Sequence, residues 1–249
     1  MASILVAGAT GYLGRYLVAE LHSRRHLVRA VVRDRARACR EGPWGSPSLD
    51  GLVEEWAVGS VTDSGFTRDL AADVEHVVSA LGVTRQKADL WQIDNLANLA
   101  ILDSALRHAG SFTYINALGG EQCPAQLTRA KSAFAQTLSA AQISSQIINP
   151  PAYFSDMTEV LSMARRGLVA VFRPEARINP IHGADLAAYV VDRMEEGAHR
   201  HMGRRRTGRA HLARACTPGL RRRREALARP HRPGVGTAAS AAKIGRAHV

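Results

Sequence analysis

ILVAGATGYLG, residues 4–14, sets a short apolar run directly against glycines at positions 8, 11 and 14, and a helical run follows. A glycine triad alone is a weak signal, but between a strand and a helix each glycine has a physical task. Gly8 permits a tight turn, Gly11 lets backbone approach a pyrophosphate, and Gly14 lets the helix pack closely on the strand. The first N–H groups of such a helix lack partners within it and its dipole favours negative charge, so the loop reads as a cradle for a dinucleotide's phosphates.

The same alternation continues downstream. Short apolar runs at 4–7, 27–32, 74–80, 112–117, 146–149 and 169–172 read as strands. Between them lie amphipathic stretches such as 89–109, where Leu90, Ile93, Leu96, Leu99 and Leu102 form one apolar face, which reads as core. Strand and helix alternating at this spacing predict an α/β fold, a Rossmann-like doubly wound parallel sheet with helices on both faces.

The 46% hydrophobic content of the 249 residues fits a soluble globular protein. No apolar window is long enough for a membrane span and no basic stretch precedes the first apolar run, so a cytoplasmic protein without membrane contact is expected. Cys39, Cys123 and Cys216 are far apart and form no ligand spacing, which predicts free thiols and no metal site.

A net charge of +11 would suggest a nucleic-acid partner, but its distribution argues against one. Residues 1–196 carry 19 Lys and Arg against 21 Asp and Glu; residues 197–249 carry 14 against 1 and no aromatic residue for base stacking. The chain therefore divides into a dinucleotide-binding domain, 1–196, and a basic tail, 197–249, expected to be disordered or to derive from a shifted reading frame. Read one base later, the codons of Met202 and Gly203 must contain that of a tryptophan, and residues 202–214 can then spell a strand and turn leading into a helix. The closing IGRAHV, residues 244–249, is what a common sequencing adapter encodes in one frame.

The end of the second strand bears on the cofactor. VRAVVRD, residues 28–34, puts Arg33 where an acidic residue would bind a ribose 2′-OH, and a guanidinium fork suits a 2′-phosphate. NADP(H) is favoured over NAD(H), although Asp34 next door keeps NAD(H) open.

By this point the chain resembles the atypical short-chain dehydrogenase/reductases, in particular the NmrA-like NAD(P)H-binding proteins. The resemblance rests on AGATGYLG (7–14), VVRD (31–34), SALG (79–82), INALGG (115–120), INPPAYF (147–154) and INPIHGADLA (178–187), taken in that order. It implies a phosphate loop of Gly8, Thr10, Gly11, Tyr12, Leu13 and Gly14, with Arg33 at the 2′-phosphate. Ser60 and Val61 would lie beside adenine, Ala80, Leu81 and Gly82 would border a ribose, and Pro150, Pro151 and Ala152 would line the nicotinamide side. Standard members transfer a proton through a Tyr four residues before a Lys, with a Ser after the fifth strand; the matching positions here are Leu127, Lys131 and Asn116. Only the Lys remains, and Lys131 is expected at the cofactor.

Three further candidates stand beside it. Asn116 could polarise a carbonyl as a donor or serve the strand end structurally. Tyr153 could be a substitute acid or a pocket wall. His182 and Asp185 could pair, or Asp185 could cap a helix while His182 packs. These features lead to two expectations: an NADPH-dependent oxidoreductase acting on a small carbonyl or enone-like substrate, or a noncatalytic NADP(H) sensor. The resemblance also implies a further stretch beyond residue 196 that closes the substrate side, so an intact cofactor half and an open substrate pocket are expected.

Overall fold

A computed structural model describes residues 1–83, 88–167, 179–200 and 208–211. The chain divides into Met1–Ala213 and Arg214–Val249, and the described residues all belong to the first unit. Its elements begin with β1 (Ser3–Ala7), α1 (Tyr12–Ser23), β2 (Leu27–Val32), a single-turn α2 (Arg35–Ala38), β3 (Glu55–Val58), a single-turn α3 (Ser64–Thr67) and β4 (His76–Ser79). A π-helical segment, Gln92–Ala97, runs into α4 (Asn98–His108). There follow β5 (Ser111–Ile115), α5 (Gln126–Ala140), β6 (Ser144–Asn149), α6 (Met157–Arg165), α7 (Gly183–Arg200) and β7 (Gly208–His211).

The seven strands form one parallel sheet in the order β3-β2-β1-β4-β5-β6-β7. The order reverses direction at β1, where Val6 lies beside Ala30 of β2 on one side and Val78 of β4 on the other. Such a switch point opens a crevice beyond the carboxyl ends of the strands. All four residues Ile4–Ala7 of β1 are fully buried, as befits a central strand covered on both faces. On one face Leu5, Ala7, Phe112 and Tyr114 pack with Ile101 and Ala105 of α4 and Phe134 of α5, the Tyr114 and Phe134 rings meeting edge to face at 4.6 Å. On the other face α1 packs on α7, burying Leu17, Leu21, Leu186 and Val190. Arg24, just past α1, joins Asp192 at 2.7 Å and Glu195 at 2.8 Å, and His26 reaches Glu195 at 3.0 Å.

The expected doubly wound α/β fold is the observed one, with four differences of detail. β3 carries no long apolar run: among the described residues it pairs with β2 alone, and its sequence, EWAV, is half-exposed and gives no strand signal. The expected helix 89–109 is not one regular face. Its π-helical entry rotates Asp94, Asn95, Ala97 and Asn98 inward and leaves Leu96 41% exposed, so the apolar stripe is not wholly core. α7 continues past residue 196 to Arg200, and Gly208–His211 pairs with β6, so this part of the basic tail belongs to the sheet. The predicted strand 169–172 and tail residues 201–207 and 212–249 lie outside the described residues. Among the described residues no helix is long and apolar enough to cross a membrane.

Candidate active site

The glycine loop is built as its spacing requires. Gly8 has φ +77°, and a Cβ there would stand 2.7 Å from the Ala80 carbonyl oxygen. A Cβ on Gly14 would fall 2.1 Å from the Gly8 oxygen, so only glycine lets α1 start this close to the strand end. Gly11 is the N-cap of α1, and a Cβ there would touch nothing nearer than the Gly8 oxygen at 3.3 Å. No side chain caps α1 and no acidic residue stands in its first turn, so the N–H groups of Tyr12, Leu13 and Gly14 keep their donors for an anion. A dinucleotide pyrophosphate fits this cradle. Leu13 is 7% exposed and is core, so only its backbone can serve a phosphate. The Tyr12 hydroxyl accepts from the Gly183 N–H at 3.2 Å, tying the loop to the start of α7.

At the end of β2, Arg33 is exposed, while the Asp34 carboxylate accepts the Arg37 N–H at 3.0 Å as the cap of α2. Asp34 is thereby engaged with its own helix. Ser60 lies just past β3 with its hydroxyl 2.7 Å from that of Thr62, and Val61 packs on the core. Pro150, Pro151 and Ala152 leave the end of β6, where the Pro150 carbonyl accepts the Leu118 N–H at 3.0 Å.

Beyond β4 and β5 stands a group that the sequence reading only half found. Lys131 points its ammonium at the fully buried Asp94 carboxylate, 3.2 Å away, and the other Asp94 oxygen accepts the Val83 N–H at 3.0 Å. Gly82 makes room for the pair, because a Cβ there would lie 2.8 Å from Asp94 Oδ1 and 3.0 Å from Lys131 Nζ. The lysine also reaches the Ile115 carbonyl at 3.4 Å and sits 5.3 Å above the Tyr114 ring. Burial pushes the Lys131 ammonium below the usual lysine range, with Asp94 pulling it back up. Burial likewise raises the Asp94 carboxyl against the opposing pull of Lys131 and the Val83 N–H. Asn98 fixes the arrangement: its amide donates to the Asp94 carbonyl at 3.1 Å while its oxygen accepts from the Ser79 hydroxyl at 2.6 Å.

Asn116 lies close by at the end of β5, 6% exposed, with its amide nitrogen donating to Asn149 Oδ1 at 2.9 Å and its own oxygen unpartnered. One of its two amide N–H groups is thus taken by Asn149, which leaves the other N–H for a ligand carbonyl and the amide oxygen as an acceptor. Tyr153 is half-buried with its ring 5.9 Å from that of Tyr12, and burial, aided by Asp156 and Tyr12, raises its phenol far above the usual range. That is the environment of a packed ring, and a poor one for an acid. His182 and Asp185 do not act together: His182 Nδ1 accepts the Ala184 N–H at 3.2 Å and its ring packs 5.2 Å from Tyr16, whereas Asp185 is exposed in the first turn of α7. The apolar stripe of this segment runs through Asp94 and Asn98, and among its other polar residues, Gln92, Asn95 and Asp103, no sequence signal singles these two out.

Comparison with known proteins agrees with this geometry. Residues 4–138 match the model of the NAD dependent epimerase/dehydratase family. A divinyl chlorophyllide a 8-vinyl-reductase of Zea mays, named as chloroplastic, is 30% identical over 208 residues, covering 76% of this chain and 51% of that protein. The chain spans about half the length of the curated relatives it matches. Among solved structures, the Bordetella bronchiseptica enzyme WbmH in complex with NAD+ superposes with a TM-score of 0.63 at 16% identity, covering 78% of this chain and 73% of that one. The Citrobacter sp. triphenylmethane reductase complexed with NADP(H) superposes with a TM-score of 0.58 at 16% identity, covering 74% and 63%. Both share the fold. Because the family match extends over more than half of its length and covers the glycine loop and the Lys131 site, this chain belongs to the NAD-dependent epimerase/dehydratase family.

Proposed function

We propose that this chain is an NADPH-dependent oxidoreductase acting on a small carbonyl or enone-like substrate, with Lys131 as its proton donor. The observation that carries the reading is the buried Lys131–Asp94 pair beside the cofactor cradle, 3.2 Å apart at the mouth of the switch-point crevice. The N–H groups around Gly8, Gly11 and Gly14 would hold the pyrophosphate, Arg33 the 2′-phosphate, and Ser60, Val61 and Ala80–Gly82 the adenosine side. Pro150, Pro151 and Ala152 would wall the nicotinamide side, with Tyr153 as an aromatic wall behind the loop. The bound cofactor supplies the hydride.

What the residues add is the proton. A lysine held below its ordinary range by burial gives up a proton more readily near neutral pH, which offsets the absence of a phenol at Leu127. Asp94 keeps the ammonium aimed and steadies its charge between turnovers. The order of motifs favours the NmrA-like branch of this fold. A reducing compartment such as the cytoplasm suits the free thiol Cys39.

The test is calorimetric titration of the chain with NADPH and NADH, repeated for Arg33→Ala, followed by NADPH consumption with quinones, enones and aldehydes. Tighter NADPH binding that disappears with Arg33, together with turnover on one substrate class, supports the reading. Redox-selective binding without turnover points to the sensor instead, a reading that the leucine at position 127 favours. Binding of neither cofactor overturns both.

A further inference from the structure

We propose that Arg15 is a specificity-determining positioning residue: it clamps the segment that carries Arg33 to the glycine loop, and so sets the preference for a 2′-phosphorylated dinucleotide. The proposal rests on the NADPH reading above.

Arg15 occupies the first turn of α1 and is 2% exposed, yet among the described residues no carboxylate pairs with it. Its guanidinium is spent on backbone oxygens. Nε donates to the Thr10 carbonyl of the glycine loop at 3.1 Å. Nη1 is shared among the carbonyls of Arg40 at 2.7 Å, Pro47 at 2.8 Å and Ala38 at 3.1 Å, and Nη2 donates to that of Arg37 at 3.2 Å. The chain between residues 37 and 47 wraps this side chain so closely that a Cβ on Gly42 would lie 2.3 Å from Arg15 Cδ.

Four of those carbonyls belong to the segment that follows Arg33. α2 is a single turn, too short to persist unaided, since helix nucleation is unfavourable. Asp34 holds its N-terminal end and Arg15 its C-terminal carbonyls, where a buried cation also complements the helix dipole. Arg33 stands immediately before this doubly anchored turn. A guanidinium grips a phosphate in two-point geometry only if its backbone is held to within about half an ångström. Because the same side chain also holds Thr10, it fixes the spacing between the pyrophosphate cradle and the 2′-phosphate position.

A lysine in place of Arg15 keeps the charge but is a single point that cannot reach five carbonyls. The experiment is titration of wild type, Arg33→Ala, Arg15→Lys and Gly42→Ala with NADPH and NADH by calorimetry. Gly42→Ala leaves the guanidinium in the chain but drives it from its seat, and it keeps the test informative should Arg15→Lys not fold. Arg15→Lys and Gly42→Ala are expected to lower the NADPH-to-NADH affinity ratio about tenfold, with NADH binding weakened only to the smaller extent that the shared Thr10 contact accounts for. Equal weakening of both cofactors, or an unchanged ratio in the folded variants, overturns the proposal and leaves Arg15 a structural residue. Loss of preference in Arg33→Ala alone overturns the role of Arg15 and leaves the NADPH reading standing. A wild type without preference overturns both.

Discussion

Replacing Asp94 with asparagine keeps the shape of the side chain and removes only its charge, so it isolates what the carboxylate does for Lys131. At 3.2 Å the pair attracts with about 5 kcal/mol at an effective dielectric of roughly 20. The loss is capped because the stranded ammonium can shed its proton. From an unperturbed value near 10.4, doing so at pH 7 costs about 4–5 kcal/mol, and at pH 9 about 2 kcal/mol. Asp94→Asn should therefore lower unfolding stability by about 3–4 kcal/mol at pH 7, in the range for breaking a buried pair, and depress the melting temperature by roughly 10 °C. The sign of the pH dependence follows. A lysine whose folded value lies below its unfolded one binds fewer protons folded than unfolded, so stability rises with pH between those two values. In the variant that window opens at lower pH than in wild type, and the deficit should shrink to about 2 kcal/mol or less at pH 9. Urea unfolding followed by circular dichroism at pH 7 and pH 9 measures both. A deficit below about 1 kcal/mol at pH 7, or one unchanged at pH 9, would refute the assignment of a charged, coupled pair.

Two other predictions address separate parts of the molecule. Gly82→Ala sets a methyl group 2.8 Å from Asp94 Oδ1 and 3.0 Å from Lys131 Nζ; it should cost about 1–2 kcal/mol and expose the amine, seen by mass spectrometry as faster acylation of Lys131, and unaltered labelling would count against a tight pair. Burial alone would raise the Glu195 carboxyl, but hydrogen bonds from His26 and Arg24 outweigh it and hold the group low, so its contribution is present above about pH 4.3 and lost as pH falls through the lower folded value. Because Glu195 is about one-third exposed, Glu195→Gln should cost only about 1 kcal/mol at pH 7, and that cost should shrink steadily as pH falls below about 4.3, read from thermal melts.

How far the sequence could be read follows from which signals are local. Gly8 and Gly14 were legible because a turn at positive φ and a close backbone approach admit no other residue, whatever the rest of the chain does, and Gly11 because it completes their spacing. The strands β1, β2, β5 and β6 were legible because each is buried and β-branched or aromatic. β3 was not, since a half-exposed edge strand owes its form to its neighbour Arg29–Val32 rather than to its own residues. Arg33 and Lys131 could be named from position, but their surroundings could not. The carbonyls around Arg15 and the carboxylate opposite Lys131 are contacts made through folding, the Arg15 contacts reaching up to 32 positions and the Asp94 contact crossing 37. The π-helical entry to α4 was least legible of all. A single wide turn shifts the inward face, so counting apolar residues at regular helical spacing selects Leu96, which faces out, and passes over Asp94 and Asn98.

That shift bears on why a lysine remains buried where its usual tyrosine partner is a leucine. As a structural device the pair is a poor one: an apolar pair of similar size would serve stability as well or better, since desolvating two charges consumes most of their attraction. Its surroundings add further cost, with a glycine at 82 to make room, an irregular helix to turn Asp94 inward, and Asn98 and Ser79 committed to holding that turn. None of these is needed to close the core, which is filled by Phe112, Tyr114 and Phe134. Costly polar arrangements of this kind gather at sites where a charge has work to do. The lysine at the mouth of the crevice keeps 14% of its side chain exposed, while its carboxylate partner is sealed away. On the proposed reading, a ligand in the crevice would meet the lysine, and the carboxylate would act on it only through that lysine.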